Sequence, residues 1–458
     1  MPSGVDLHLD LPAGRGRRVA LESALREAIR AGRLSPGESL PASRVLAAEL
    51  GLARGTVVEA YSQLVAEGYL RARQGAGTEV AEAPGVMPRP RGEPQPRRFA
   101  ADFQLGRPDL SAFPRQEWLR ALRRALHGVP HAELGPGDPR GSLRLREVIA
   151  DYLGRVRGVL APPERIVVCT GFTQGLRLVC DAIAMAGATR IGLEDPCLPD
   201  HRATATAAGL TVVPLGVDDD GAVSESFGVT AAVLTPAHQA PLGATLATQR
   251  RTEFVRLAEE HDAYLVEDDY DGEFRYDGHP IGALQGLAPE RVIYAGTASK
   301  SLVPGLRLGW LVVPAALLDA VIEAKRRADR GTDVLNQLAL AEFISSGGFD
   351  RHIRRMRLRY RNRRDAVLDT LRTAAPAYRV RGTAAGLHVV AGLPDGMAEA
   401  DVLAEAERQS IGLVGLEPFW HENPSRGRGL VIGYGTPHQH GFPSALAKLG
   451  EFLRTIGP

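Results

Sequence analysis

Cysteine is scarce in this chain of 458 residues: Cys169, Cys180 and Cys197 are its only thiols, and they lack metal-ligand spacing. Three unpatterned thiols exclude a disulfide framework and a zinc fold, and they read as reduced core or pocket residues of a cytoplasmic protein. No uncharged apolar run of about 20 residues is present to span a membrane, and no apolar signal region stands at the amino terminus. The formal net charge is only +1. Any nucleic-acid partner must therefore be argued from where charges sit, not from their sum. What remains is a cytosolic chain with 44% hydrophobic residues, long enough for a small module and a large two-part α/β domain.

The most informative stretch is TASKSLVPGLRLGW, Thr297 to Trp310. Lys300 follows RVIYAGT, a short buried-strand pattern, and precedes a Pro-Gly pair that breaks regular structure. A lysine at such a strand end is expected to be partly desolvated, with its amine pKa lowered toward the range in which it forms a Schiff base. Thr297, Ser299 and Arg307 flank it with hydroxyls and a guanidinium suited to a phosphate dianion. One cofactor needs both features, pyridoxal 5'-phosphate (PLP), whose pyridine nitrogen also asks for a carboxylate and whose ring oxygen asks for a phenol. AYLVEDDYDGEF, Ala263 to Phe274, supplies both as Asp268 and Tyr270 at a strand's carboxyl end. Singly, a serine-lysine pair is a solvated turn and EDD a charged loop. In this order and spacing the site reading outweighs both.

Residues 15–82 carry three helical patterns and a hairpin. Leu21, Leu25, Ala28 and Ile29 share one face of the first, which stops at Gly32. A short second helix is expected to be capped by Ser43, with Val45, Leu46 and Leu50 inward, and the third carries Val57, Ala60, Tyr61, Leu64 and Val65. So tight a turn between two helices is the geometry of a helix-turn-helix. Arg54 and Thr56 then open a recognition helix facing base edges, with Arg44 in reach of a phosphate. YLRARQGAGTEV reads as a wing, with Arg71 and Arg73 for charge and Gly75 and Gly77 for close approach. The competing reading is a three-helix protein-binding module with solvated arginines.

Residues 83–101 are rich in proline and arginine and read as a semi-rigid linker. From 102 to 458 strands alternate with helices, which means a mostly parallel α/β sheet with functional loops at strand carboxyl ends, and a small carboxyl-terminal subdomain from about 330. RIVVCTGFTQG is strand, glycine turn, helix, so Phe172, Thr173 and Gln174 are candidates for a phosphate-binding turn. His238 sits at another strand end. RHIRRMRLRYRNRRD tempts a DNA reading, yet Ile353, Met356, Tyr360, Val367 and Leu371 fall on one face, so it is taken as a helix with a buried stripe and no site.

EDDYDGEF and SKSLVPGLRLGW resemble the fold-type I aminotransferases, and with SLPASRVLAAELGLARGTVVEAYSQLVAEGYLRARQGAGTEV the chain looks most like the MocR subfamily of GntR-type transcriptional regulators. The resemblance implies a winged helix-turn-helix fused to an aminotransferase-like domain. It implies PLP bound on Lys300, with Asp268 at the pyridinium, Tyr270 at the ring oxygen, and Thr297 and Arg307 at the phosphate. Arg428 lies near where aminotransferases place the arginine for a substrate carboxylate. It further implies a homodimer, commonly head-to-tail, that binds double-stranded operator DNA and answers to a small amine, an amino acid or PLP. Ala53 departs from the family by replacing a serine that caps the recognition helix. Pro136, Cys197-Leu198 and Ala240 replace aromatic positions, of which the first two bear on the cofactor pocket. The alternatives are a working aminotransferase with an accessory DNA-binding domain, and a cofactor-free DNA-binding dimer.

Overall fold

A computed structural model of the chain describes residues 16–73, 77–81, 98–225, 227–278, 281–421 and 427–457. Gly75 and most of the linker, residues 82–97, lie outside the described residues. The chain divides into two units, Met1–Arg97 and Arg98–Pro458.

In the first unit three helices, Arg17–Arg30, Ser43–Glu49 and Arg54–Ala66, bury one face each. Leu21, Leu25, Leu46, Val57, Ala60 and Leu64 meet in one core, closed by Leu70 and Val80 of an antiparallel hairpin, Leu70–Arg73 with Gly77–Val80. Gly32 takes a φ of 72°, the left-handed conformation that a residue without Cβ adopts most cheaply, and the first helix stops there. Two details differ from the expectation. Ser43 is the first helical residue rather than the cap, and Ala42 before it makes no side-chain bond. The inward face of that two-turn helix is consequently Leu46 and Ala47, which leaves Val45 42% exposed.

The second unit is built on an eight-stranded sheet. Naming strands by residues, its order is Ile166–Cys169, Gly309–Val312, Val292–Thr297, Tyr264–Asp269, Ala231–Leu234, Arg190–Asp195, Thr211–Asp218 and Gly221–Ala222. The strands from Val292 to Thr211 in that order pair in parallel, and Gly309–Val312 runs antiparallel to both neighbours. Successive side chains point to opposite faces. Val167, Ile293 and Leu311 therefore join one core with the helices Phe172–Met185 and Ala315–Ala328, while Ile166, Tyr294 and Trp310 join the core on the other side. Burial on both faces explains why these strands read as continuous apolar runs.

A second sheet, in the order Arg379–Arg381, His388–Gly392, Gly429–Gly433 and Val414–Gly415, carries the small subdomain. The helix Gly348–Ala374 buries Ile353, Met356, Tyr360, Val367 and Leu371 as the periodicity requires. Several of its arginines hold neighbouring segments: Arg359 and Arg363 pair with Asp109, and Arg357 donates to the Glu273 carbonyl. Among the described residues no helix is long and apolar enough to cross a membrane.

Candidate functional site

The parallel strands deliver their carboxyl-end loops to one edge of the sheet, the usual place for ligands in an open α/β fold. Lys300 lies there on a one-turn helix, Ala298–Ser301, directly after the strand Val292–Thr297. Its Nζ donates to the Gly106 carbonyl. Gly106 has a φ of 89°, and a Cβ there would stand 3.3 Å from Nζ. Burial lowers the amine's pKa, against the opposing pull of Asp271 and Asp268. Thr297 caps the short helix: its Oγ1 accepts from the Ser299 amide at 3.1 Å and lies 2.9 Å from Ser299 Oγ.

Asp268 sits one strand away, opposite Ala295 in the parallel register. It is 4% exposed, and its Oδ1 has no hydrogen-bond partner. Burial, then the neighbouring Asp269 and Asp271, push its pKa well above the ordinary carboxylate range, and Lys300 opposes them. A bare buried carboxylate oxygen is costly unless a donor arrives. The next residue, Asp269, also has an unpartnered Oδ1, but its Oδ2 receives Arg157 Nε at 2.7 Å and the Tyr294 hydroxyl at 2.7 Å. Tyr270 OH lies 3.0 Å from His238 Nδ1, and Asp271 Oδ2 lies 2.9 Å from the same nitrogen.

At the other end of the site the helix Phe172–Met185 starts from Gly171 without a side-chain cap, so its first N–H groups face outward. Arg307, at a φ of 50°, brings its guanidinium Nη1 3.7 Å from the place of a Gly171 Cβ. Thr173, Gln174 and Arg307 line an open cavity of about 550 Å³ there. The side chain of Gln174 is occupied: Oε1 accepts from the Thr170 amide at 2.8 Å, and Nε2 donates to Asp329 at 2.7 Å. Phe172 packs on the His201 ring, centroids 4.9 Å apart.

Arg428 does not join this group. It is an exposed residue whose Nε reaches Glu417 at 3.1 Å. It precedes the Gly429 end of a strand whose Gly433 end packs on Gln104, near Gly106, and five residues of strand span about 16 Å. The site expected for it by position is therefore at the opposite end of that strand. Leu198 packs toward Leu242 and Phe419, Ala240 is buried, and Pro136 lines a separate cavity of about 1000 Å³.

In the first unit Arg44 and Arg54 are exposed and Thr56 is half-buried at the start of the third helix. Arg71 is exposed and stands opposite Glu79 across the hairpin, Arg73 opposite Gly77, and Gly77 has a φ of 98°.

Sequence reasoning passed over Asp271, Gly106 and the Arg157–Asp269 pair. Asp271 was visible as the fourth acid of EDDYD. Gly106 and Arg157 carry no local signal, because their partners lie 194 and 112 residues away. A further omission is Lys325, one of three lysines in the chain, wholly buried, with Nζ 2.6 Å from Asp329 and 2.9 Å from Thr332.

The residues present fit PLP on an observation of the fold itself: an unpartnered buried carboxylate oxygen, a crowded lysine and an uncapped helix start beside an arginine converge on one sheet edge. Residues 18–80 match the family model of bacterial regulatory proteins of the gntR family, and residues 103–428 match that of class I and II aminotransferases. The pyridoxine biosynthesis regulator PdxR of Corynebacterium glutamicum is 33% identical, with 94% of each chain covered. A probable rhizopine catabolism regulatory protein, MocR of Rhizobium meliloti, is 34% identical over 94% of this chain and 91% of its own. Among solved structures, an archaeal alanine:glyoxylate aminotransferase superposes with a TM-score of 0.71 at 24% identity, covering 78% of this chain and 91% of that one. The Thermus thermophilus aminotransferase LysN superposes with a TM-score of 0.70 at 25% identity, over 78% and 93%.

Proposed function

The chain belongs to the MocR-type GntR regulators, a winged helix joined to a class I and II aminotransferase domain, and from that membership we propose that it regulates transcription by sensing a small amine, an amino acid or PLP itself at Lys300. The winged helix binds double-stranded operator DNA, with Arg54 and Thr56 at base edges, Arg44 and Arg71 at phosphates, and Arg73 and Gly77 shaping the wing. The protein works in the cytoplasm as a homodimer, arranged head-to-tail.

The observation that carries the sensing role is the bare Oδ1 of Asp268 beside Lys300. Bound here, PLP supplies an aldehyde carbon open to amines and an electron-poor ring. Asp268 Oδ1 would accept a hydrogen bond from the protonated ring nitrogen, which would satisfy that oxygen and favour its charged form. The Phe172–Gln174 turn and Arg307 hold the phosphate, with Ser299 beside them and Thr297 fixing the turn that carries Lys300. Burial keeps the Lys300 amine readier to lose its proton than a solvated lysine.

Absorbance of the purified protein with added PLP, before and after borohydride reduction, tests this. A visible band that reduction fixes to Lys300 is expected. K300A should lose band and effector response while keeping operator binding; a K300A protein that still responds to its effector would sink the mechanism. The aminotransferase fold itself favours a second reading, an enzyme with an accessory DNA-binding unit. Steady turnover of an amino donor and keto-acid pair would reverse the order of the two.

A further inference from the structure

One buried carboxylate with no role so far is Asp271. It is 2% exposed, directly follows Tyr270, and faces a His238 that is 3% exposed. Its Oδ2 and the Tyr270 oxygen lie 2.9 and 3.0 Å from one and the same nitrogen, His238 Nδ1. A neutral imidazole carries its proton on one nitrogen only. A carboxylate facing Nδ1 selects the Nδ1–H form, because the other form would set two lone pairs against each other away from water. An Nδ1–H shared with the phenol makes the phenol oxygen an acceptor on that side. Its own O–H is then not taken up by His238, and can donate either to the Asp271 carboxylate within its reach or to an acceptor on the cofactor side.

The surroundings hold the ring in place. A Cβ on Gly386 would overlap His238 Cε1, and one on Gly243 would stand 3.2 Å from Nε2. The neighbouring His388 ring, 5.1 Å away, is itself committed, donating Nε2–H to the Pro241 carbonyl at 2.8 Å. The other charged groups near the pair, Asp268, Glu194 and Lys300, act on it through space.

We propose that Asp271 is a positioning residue: through His238 it fixes the Nδ1–H tautomer, and so turns the Tyr270 O–H outward to the cofactor's ring oxygen. The ring-oxygen half rests on the PLP reading above; the tautomer half does not. In D271N the carboxylate that selects Nδ1–H is gone, the imidazole proton can move to Nε2, and the single Nδ1 lone pair then accepts from the phenol, whose proton turns inward.

Two measurements on the full chain test this. The first is NMR of 15N-histidine-labelled protein, with the His238 signals identified by their loss in H238Q. A protonated Nδ1 is expected, exchanged for a protonated Nε2 in D271N. A protonated Nε2 in the unsubstituted chain overturns the proposal. The second is the pH midpoint of the cofactor's visible band. A donor at the ring oxygen favours the form in which that oxygen carries its charge unshared, so Y270F should raise the midpoint by about one unit. D271N should raise it similarly and add nothing to Y270F, since both remove one bond. Additive shifts, or no shift in D271N, overturn the positioning role. If D271N fails to fold, H238F takes its place in the same cycle. Absence of a band in the unsubstituted protein would count against PLP sensing, and the NMR result would still decide the tautomer.

Discussion

Asp268 and Asp269 are neighbours in sequence with opposite fates, because a strand turns successive side chains to opposite faces. Asp268 faces Lys300 with an unpartnered Oδ1, whereas Asp269, whose Oδ1 is likewise unpartnered, has its Oδ2 held by Arg157 and Tyr294. One carboxylate faces the lysine and the other is held in an ion pair. The same sheet edge is steadied by His352, whose Nε2–H donates to the Ser301 carbonyl at 3.0 Å, one residue from Lys300. Burial, helped by Arg355, lowers that ring's pKa to about 4 from its ordinary 6.5. The unfolded ring takes a proton below about pH 6.5 while the folded ring resists until about pH 4, so native stability is lost as pH falls through that window. H352Q keeps a donor and does not titrate. Urea unfolding of the two proteins should show the variant gaining on the parent by up to about 3 kcal/mol between pH 6.5 and 4. A difference independent of pH would mean that charging of this ring is not the source.

Among the elements, the recognition helix Arg54–Ala66 starts from Ala53, which has cap geometry, φ −65° and ψ 137°, but no side-chain oxygen. A53S is expected to stabilise the winged helix by about 1 kcal/mol, read as roughly fivefold slower hydrogen exchange in its opening turn. Unchanged exchange would show that opening does not limit there. The helix Gly348–Ala374 makes a contrasting case. Its arginine density comes from packing: Arg363 is 5% exposed, and its guanidinium reaches Asp109 at 2.9 Å and the Pro437 carbonyl at 2.7 Å. A buried guanidinium with its charges and carbonyls arranged around it is a structural clamp on the segment that follows Gly106.

At the scale of the whole molecule, one winged helix and one Lys300 site per chain make the dimer the proposed unit of regulation. Two linked winged helices gain by effective concentration, so DNA with two half-sites should bind on the order of a hundredfold tighter than DNA with one. Equal affinities in an electrophoretic or anisotropy titration would mean that only one winged helix engages. A small net charge leaves the electrostatics of binding to the local arginines, and both affinities should fall with salt.

The sequence by itself determined the parts written in contiguous residues. Strand-turn-helix at Phe172, the acids of EDDYD, Lys300 between strand and Pro-Gly, and the three short helices all follow from spacing and period, which local sterics and burial impose within one element. The amphipathic stripe of Gly348–Ala374 was legible for the same reason. Only the tertiary structure decided which distant groups meet. It set His238 on Asp271, Arg157 on Asp269 and Lys300 on the Gly106 carbonyl, and it left Arg428 at the wrong end of its strand to reach Lys300. Such pairings depend on strand order and register across the sheet, and no periodicity along one segment records them.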